Sequence, residues 1–310
     1  MKTEQRILNL SKEGAIQCYK WENANGGNPK GVVLIVHGMA EHIERYVDFV
    51  KMLTDNGFIV YGHNQRGHKG SIIQKDYYGY LGDFVGFDTL VSDVNEIIDI
   101  IKQDYPALPV FILGHSMGTA VSQRFCQFHG KKINGVILSG AMKNPIILLK
   151  MGAFFSSLIA RIKGPKHRSH FIDKLTFQKY NAGFKPNRTA FDWLNRDEKE
   201  VDKYVQDEYC GGLFTVSFFK TFFQGLQSIN RNYELVPKDL PIFIASGSKD
   251  PVGGYSKDIT KLYENYKKLQ IKDLEFKLYD SARHEILLEL CKDEVRNDFI
   301  NWLLKHLPEN

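Results

Sequence analysis

The chain has 310 residues, an apolar content of 43% and a charged content of 25%, which are typical of a globular protein with a large core. Its net charge of +5 is small for this length, and the basic residues cluster only at 164–170, so we expect no nucleic-acid partner. The four cysteines form no CxxC pair, so we expect no metal site. We expect neither a signal peptide nor a membrane-spanning segment, and we therefore predict a cytoplasmic protein.

The chain begins with two strand-like segments, at 6–12 and 15–23, separated by a turn at Gly14. We expect them to form an antiparallel hairpin at one edge of a sheet. Six further short runs are apolar and rich in β-branched residues, as buried parallel strands are. They are 32–38, 58–64, 109–116, 133–141, 241–250 and 274–280.

Helix-length segments lie between most of these strands. Residues 43–57 place apolar side chains at helical spacing and end at a glycine, and residues 87–106 do the same and end at a proline. Strands that alternate with helices predict a mostly parallel, eight-stranded sheet covered by helices on both faces.

The alternation stops between 142 and 237, where no run fits the sheet. Apolar and aromatic helical segments occupy this interval instead, at 144–164 and 215–229. We predict a helical cap at 142–237, inserted between a first core part, 1–141, and a second, 238–310. The second segment and Phe214 before it carry five phenylalanines, most of which we expect to pack against the sheet. Such a high aromatic content also favours an apolar tunnel in the cap, or peripheral membrane contact through it.

Ser116 lies in the pattern G-x-S-x-G at the end of a predicted strand and before a predicted helix. A serine raised on such a sharp turn between small neighbours is typical of a catalytic nucleophile. The alternative is a glycine-rich turn in which the serine has no chemical role. The strand before it and the helix after it favour the nucleophile.

A serine nucleophile needs a base, and the chain has ten histidines. In this architecture the acid and then the histidine follow the serine along the chain. His284 comes directly after the last predicted strand, where we expect it to open a helix, and it is our candidate base. The other histidines after Ser116 fall at a helix end, in the predicted cap or in the C-terminal tail; they are His129, His167, His170 and His306.

The acid that orients the base is predicted to be Asp250, just beyond a strand and followed by Pro251. Its distance of 34 residues from His284 leaves room for one helix and one strand, which would return the chain to the same sheet edge. The alternatives are a purely local Asp-Pro turn, or Asp280 as the acid. Asp280 is too close in sequence to His284 to face it across a loop.

The developing oxyanion needs backbone N–H donors that are already in place. We expect one from Met117, directly after the nucleophile, and a second from Met39, in the loop after the strand at 32–38. His37, Glu41 and His42 either orient that loop or have simple structural roles.

Five segments carry a family resemblance in order and spacing. They are HGMAEHIERY (37–46), NQRGHKGS (64–71), GHSMGT (114–119), SGSKDPVG (246–253) and ARHEIL (282–287). Together they resemble the α/β-hydrolase superfamily, in the monoacylglycerol lipase and lysophospholipase branch that is grouped with serine aminopeptidase-like hydrolases. The chain departs from the usual Asp-x-Arg-Gly-His-Gly of such proteins at Asn64 and Lys69, in a loop that shapes the floor of the site.

This resemblance implies Ser116 as nucleophile, Asp250 and His284 as its partners, and Met39 and Met117 as oxyanion-hole donors, with no cofactor. It favours a serine carboxylic-ester hydrolase that acts on a small acyl-ester substrate, either monoacylglycerol or lysophospholipid. The alternatives are an aminopeptidase-like enzyme, a general short-chain carboxylesterase, or a non-catalytic binding protein on the same fold.

Overall fold

The computed structural model describes residues 1–9, 14–72, 77–82, 85–177 and 179–308. Within this part of the chain, eight strands form one sheet in the order β1-β2-β4-β3-β5-β6-β7-β8. The strands are β1 (Lys2–Asn9), β2 (Ala15–Glu22), β3 (Gly31–Val36), β4 (Phe58–His63), β5 (Val110–His115), β6 (Gly135–Ser139), β7 (Ile242–Gly247) and β8 (Leu274–Tyr279). The predicted mostly parallel α/β sheet is confirmed.

The N-terminal hairpin forms the antiparallel edge of this sheet. Leu8 of β1 lies opposite Ile16 of β2, and β2 pairs antiparallel with β4. Every pairing from β4 to β8 is parallel. The predicted hairpin is confirmed, but its first strand begins at Lys2 rather than at residue 6, and residues 10–12 of that prediction lie outside the described residues.

Helices cover both faces of the sheet because its central strands are apolar on both sides. Val33 and Ile35 of β3 face one core layer, which they share with the helices at 47–55 and 292–305. Val32 and Leu34 face the other layer, which they share with the helices at 87–104, 117–129 and 257–268. The helices are α1 (Val47–Asp55), α2 (Phe87–Asp104), α3 (Met117–His129), α4 (Ile146–Lys163), α5 (His170–Phe177), α6 (Glu198–Gln206), α7 (Val216–Arg231), α8 (Lys257–Lys268) and α9 (Lys292–Lys305).

The interval between β6 and β7 holds α4 to α7. Its described residues, 142–177 and 179–237, contribute no strand to the sheet. The five phenylalanines at and before α7 are buried, whereas α4 exposes large apolar side chains such as Phe154 (63%) and Ile162 (73%). The cap boundaries at 142 and 237 stay a prediction.

Among the helices of the described residues, none combines the length and the apolar character needed to cross a membrane.

Candidate active site

Ser116 occupies the turn between β5 and α3. Its backbone has φ 51° and ψ −117°, a conformation that only glycine adopts without strain. Its N–H donates to the carbonyl oxygen of Ser139 at 3.0 Å, at the end of the neighbouring strand β6. The turn therefore lifts the serine out of the sheet at the carboxyl ends of the parallel strands, where ligands of open α/β sheets bind.

The two glycines of G-x-S-x-G allow the helix to approach the strands. A Cβ on Gly114 would lie 2.6 Å from Ser122 Oγ. A Cβ on Gly118 would overlap the carbonyl oxygen of Val36 in β3 and lie 2.7 Å from that of His37. Any larger residue would push α3 away from the sheet and would move Ser116 with it.

His284 and Asp250 form a buried hydrogen-bonded pair. His284 Nδ1 lies 2.9 Å from Asp250 Oδ2, and the two side chains are 2% and 0% exposed. Asp250 follows β7, and its carboxylate also accepts hydrogen bonds from the N–H of Val252 (2.8 Å) and from Ser246 Oγ (3.2 Å). These bonds fix the carboxylate, which in turn fixes the imidazole with Nδ1 protonated and Nε2 available as a base.

Burial and charge act on His284 in opposite directions. Burial lowers its pKa, but the carboxylates of Asp250, Glu285 and Glu41 favour the imidazolium, and the pKa ends above the ordinary value of 6.5. The neighbouring His115, whose ring centroid lies 4.8 Å away, is neutral, because burial and then the His284 charge lower its pKa to about 4.

Ser116 and His284 each contact the end of β6 or the residue after it. Ser116 is bonded to Ser139, and the next residue, Gly140, lies so close to His284 that a Cβ there would be 3.1 Å from the ring. In the described part of the chain, the His284–Asp250 hydrogen bond is present and one from Ser116 Oγ to His284 is not. The serine–histidine contact stays a prediction; such catalytic contacts often tighten only when substrate binds.

The loop after β3 passes directly over the nucleophile. A Cβ on Gly38 would lie 3.1 Å from Ser116 Cβ. The next N–H in the loop is that of Met39, and the first N–H of α3 is that of Met117. Among the described residues, neither of these N–H groups has an acceptor, as a pair of oxyanion donors requires.

Of the three side chains that either orient this loop or have simple structural roles, His37 and Glu41 bind its backbone. The Glu41 carboxylate accepts the Gly38 N–H at 2.5 Å. His37 Nδ1 donates to the Gly38 carbonyl oxygen (2.7 Å), and its Nε2 accepts the N–H of Gln65 (2.9 Å). Burial holds the pKa of His37 well below its ordinary value, so the ring is neutral and can accept that bond. His37 and Glu41 therefore orient the loop.

The predicted cap reaches the same loop through Ala40, which has a φ of 58°. The Ala40 carbonyl oxygen accepts hydrogen bonds from Tyr204 Oη and from the Gly211 N–H, both at 2.9 Å. His42, the third side chain with an open role, joins its two ring nitrogens to Glu44 (2.9 Å) and Asp207 (2.8 Å). The conformation of the loop therefore depends on contacts from α6 and from the segment that follows it.

The two departures in the loop after β4 have structural roles. Asn64 accepts the Ile43 N–H at 2.9 Å and donates to Gln17 at 2.6 Å, while Lys69 pairs with Glu44 at 2.9 Å. Asn64 therefore helps to hold the start of the segment that leads into α1.

The rival acid and one of the rival bases lie away from the triad. Asp280 contacts Ser248 and Ser281, not His284, and His306 pairs with Asp273. The prediction that a helix begins at His284 is wrong, because α9 begins only at Lys292. The intervening loop is held instead by the buried Glu289, whose carboxylate accepts the Arg283 N–H at 2.9 Å.

Two groups of metal-ligand side chains lie together in the described part of the chain. They are His42, Asp207 and Cys210, and Asp273, Glu275 and His306. In the first group both His42 nitrogens are already bonded to carboxylates, and neither group includes a residue of the predicted triad.

Sequence reasoning missed Arg45, Glu285 and Trp193. Arg45 lies between Glu41 and Glu285, and the Trp193 ring centroid lies 5.3 Å from that of His284. Arg45 has a local signal, since it follows Glu41 by four residues within 37–46. Glu285 directly follows His284, but only the fold brings it to Arg45, and only the fold brings Trp193 to His284.

The sequence profile of the serine aminopeptidase S33 family matches residues 27–291. The chain belongs to this family. The monoglyceride lipase of Mus musculus is 28% identical over 92% of this chain and 84% of its own length. That of Homo sapiens is 29% identical over 88% of this chain and 80% of its own length.

The fold of this S33 family member is also that of solved structures. A highly thermostable carboxyl esterase from Bacillus coagulans, in complex with glycerol, superimposes with a TM-score of 0.91 at 22% identity over 99% of this chain and 100% of its own. The predicted resemblance to the α/β-hydrolase superfamily and to its monoacylglycerol lipase-like branch is confirmed.

Proposed function

We propose that the protein is a serine hydrolase that cleaves the ester bond of monoacyl lipids, either monoacylglycerol or lysophospholipid. The predicted enzyme class, a carboxylic-ester hydrolase, is confirmed by relatives named monoglyceride lipases that align with about nine-tenths of the chain. The observation that carries the proposal is the buried His284–Asp250 pair beside the strained turn at Ser116.

In the proposed reaction, His284 Nε2 takes the proton of Ser116 Oγ as the oxygen attacks the ester carbonyl. The N–H groups of Met39 and Met117 stabilise the oxyanion, and Asp250 stabilises the imidazolium. His284 then protonates the leaving alcohol oxygen. A water molecule, deprotonated by His284, attacks the acyl-enzyme, and the fatty acid leaves with Ser116 restored.

We place the acyl chain beneath the predicted cap, 142–237. An aromatic row leads from the base into that segment: the Trp193 ring lies 5.3 Å from His284, Phe177 stacks on Trp193 at 6.5 Å, and Phe219 of α7 lies 6.2 Å from Phe177. Aromatic side chains that begin at the reacting centre suit an alkyl chain better than a charged group.

The name of the family, serine aminopeptidase S33, leaves an aminopeptidase-like activity as the alternative. Such an enzyme needs acidic side chains for the amine of its substrate. Three cap acids are already engaged: Asp197 caps α6, Glu200 pairs with Lys203 at 2.7 Å, and Asp202 pairs with Arg188 at 2.5 Å. These contacts favour ester hydrolysis over cleavage of an N-terminal residue.

The test compares rates on monoacylglycerols and lysophosphatidylcholines of several chain lengths, on short-chain esters and on aminoacyl anilides. We expect the longer monoacyl esters to be fastest and Ser116→Ala to abolish turnover and labelling by a fluorophosphonate probe. Ser228→Ala is the matched control and should behave as wild type, because this half-buried serine of α7 donates its hydroxyl to the Gln224 carbonyl oxygen of its own helix. Faster cleavage of anilides would favour the peptidase, and faster cleavage of short esters would favour a general carboxylesterase. A well-folded protein that the probe does not label would favour a binding protein.

We also propose that the outward face of α4 and α5 contacts a membrane surface. This face carries large exposed apolar side chains, together with the exposed cations Lys150, Arg161 and Lys163. The apolar side chains are Ile146, Ile147, Leu148, Met151, Phe154, Leu158, Ile162, Phe171 and Leu175.

Flotation with anionic phospholipid vesicles tests this contact. Phe154→Ser should lower the bound fraction, because it removes a side chain that is 63% exposed from the middle of the face. Phe128→Ser, which changes an exposed phenylalanine at the end of α3, is the control. Equal binding of the two variants would contradict the proposal.

A further inference from the structure

The Arg45 guanidinium lies between two buried carboxylates that come from distant parts of the chain. Nη1 donates to Glu41 Oε2 at 2.8 Å, and Nη1 and Nη2 donate to the two oxygens of Glu285 at 2.5 and 2.8 Å. The three side chains are only 10%, 4% and 6% exposed. A bidentate arginine–carboxylate pair fixes direction as well as distance, so it holds the two loops in one relative position.

Each carboxylate belongs to a different half of the proposed catalytic machinery. Glu41 accepts the Gly38 N–H at 2.5 Å, one residue before the proposed oxyanion donor. Glu285 directly follows the proposed base, and its own N–H donates to the Leu194 carbonyl oxygen at 2.9 Å. Arg45 therefore connects the loop that carries the proposed oxyanion donor (37–42, the oxyanion loop) to the loop that carries the proposed base (280–291, the histidine loop).

The guanidinium also contacts the predicted cap. It lies 4.8 Å from the centre of the Tyr204 ring, whose hydroxyl donates to the Ala40 carbonyl oxygen. Oxyanion loop, histidine loop and cap thus meet at one cation.

We propose that Arg45 is a positioning residue, which through Glu41 and Glu285 keeps the oxyanion loop and His284 in register and balances the negative charge beside that base. The proposal rests on the proposed function. It adds a role for three side chains outside the predicted triad.

The charge around His284 gives this role a specific signature. Asp250 faces the ring from the β7 loop, Glu41 from the oxyanion loop and Glu285 from its own loop, while His115 on β5 is neutral. The carboxylates raise the pKa of His284 against burial. Removing one of them should lower that pKa, and removing the cation that balances them should raise it.

The experiment measures the pH dependence of the second-order rate of fluorophosphonate labelling and of monoacylglycerol turnover. Glu285→Gln should move the acid limb of both profiles to lower pH by roughly 0.3–1 pH unit, and Arg45→Gln should move it to higher pH by a similar amount. Arg45→Lys keeps the positive charge but loses the bidentate geometry of the guanidinium. The acid limb should therefore stay at its wild-type pH, while kcat falls roughly 10- to 100-fold with little change in KM.

Arg124→Lys is the matched control, because Arg124 pairs with Asp88 through Nε (3.0 Å) and Nη2 (3.2 Å) on the far part of α3. Thermal unfolding checks that each variant is folded, and Glu285→Gln carries the test if the Arg45 variants are not. Acid limbs within 0.2 pH unit of wild type in Glu285→Gln and Arg45→Gln, or losses that follow thermal stability alone, would overturn the proposal. Labelling depends on the serine, the histidine and the oxyanion loop, whatever the natural substrate is. A wild-type protein that is labelled but does not hydrolyse monoacylglycerol would therefore contradict the proposed substrate and not the role of Arg45.

Discussion

Replacement of Gly118 by alanine tests whether the close approach of α3 to the sheet positions the nucleophile. The new methyl group would overlap the carbonyl oxygen of Val36 and lie 2.7 Å from that of His37. Both obstacles are backbone atoms of β3 and the residue after it, so a side-chain rotation cannot relieve them. Gly118 does not have a positive φ, so the contact alone is responsible for any effect.

An ordinary contact for a Cβ begins near 3.4 Å, so the start of α3 must retreat by at least about 0.7 Å from the His37 oxygen. Overpacking of this kind costs about 1–3 kcal/mol of stability or more. The same movement displaces Ser116 and the Met117 N–H together. A displacement approaching 1 Å costs catalysis roughly 100-fold.

The assays are thermal unfolding, kcat on monoacylglycerol and the rate of fluorophosphonate labelling. Gly86→Ala is the matched control, because a Cβ there would have no neighbour within 4 Å. We expect Gly118→Ala to unfold at a clearly lower temperature and to lose at least roughly 100-fold in kcat, and Gly86→Ala to lose little of either. A Gly118→Ala variant with wild-type stability and activity would refute the close-packing argument.

Three further outcomes follow from the site. Because the pKa of His284 in the folded protein lies above 6.5, kcat/KM should be half-maximal above pH 6.5 and should fall in acid. The stability that the protonated His284–Asp250 pair contributes should be complete below pH 6.5 and should be lost as the pH rises through the folded pKa. A pH profile of the rate measures the first effect, and a pH profile of thermal unfolding measures the second. Asp250→Asn should lower kcat roughly 10³–10⁴-fold, with thermal unfolding as the check that the variant is folded, and a loss under tenfold would exclude Asp250 as the orienting acid. Tyr204→Phe removes one of two bonds to the Ala40 oxygen and should lower kcat roughly 3- to 10-fold; equal kcat would show that the Tyr204 hydroxyl does not position the loop.

Local patterns were enough to predict the elements that carry the site. The apolar run before Ser116 and the glycines on either side of it correctly predict strand, turn and helix. Chain order selected His284 and Asp250, which the fold joins by a hydrogen bond of 2.9 Å. The helix expected at His284 fails because Glu289 satisfies the backbone of that loop through its side chain, and helical spacing of apolar residues does not reveal such a bond.

The amino-acid sequence by itself determined the parallel sheet, because hydrophobic periodicity and turn glycines are signals that span only a few residues. It also named three candidate catalytic groups through chain order, and its bounds for the inserted cap stay a prediction. Only the tertiary structure decided which charges and hydroxyls surround them. Arg45 meets Glu285 across 240 positions of sequence, and Tyr204 meets Ala40 across 164. Contacts between side chains so far apart depend on the direction in which each loop leaves the sheet, and no periodic pattern in the chain records that direction.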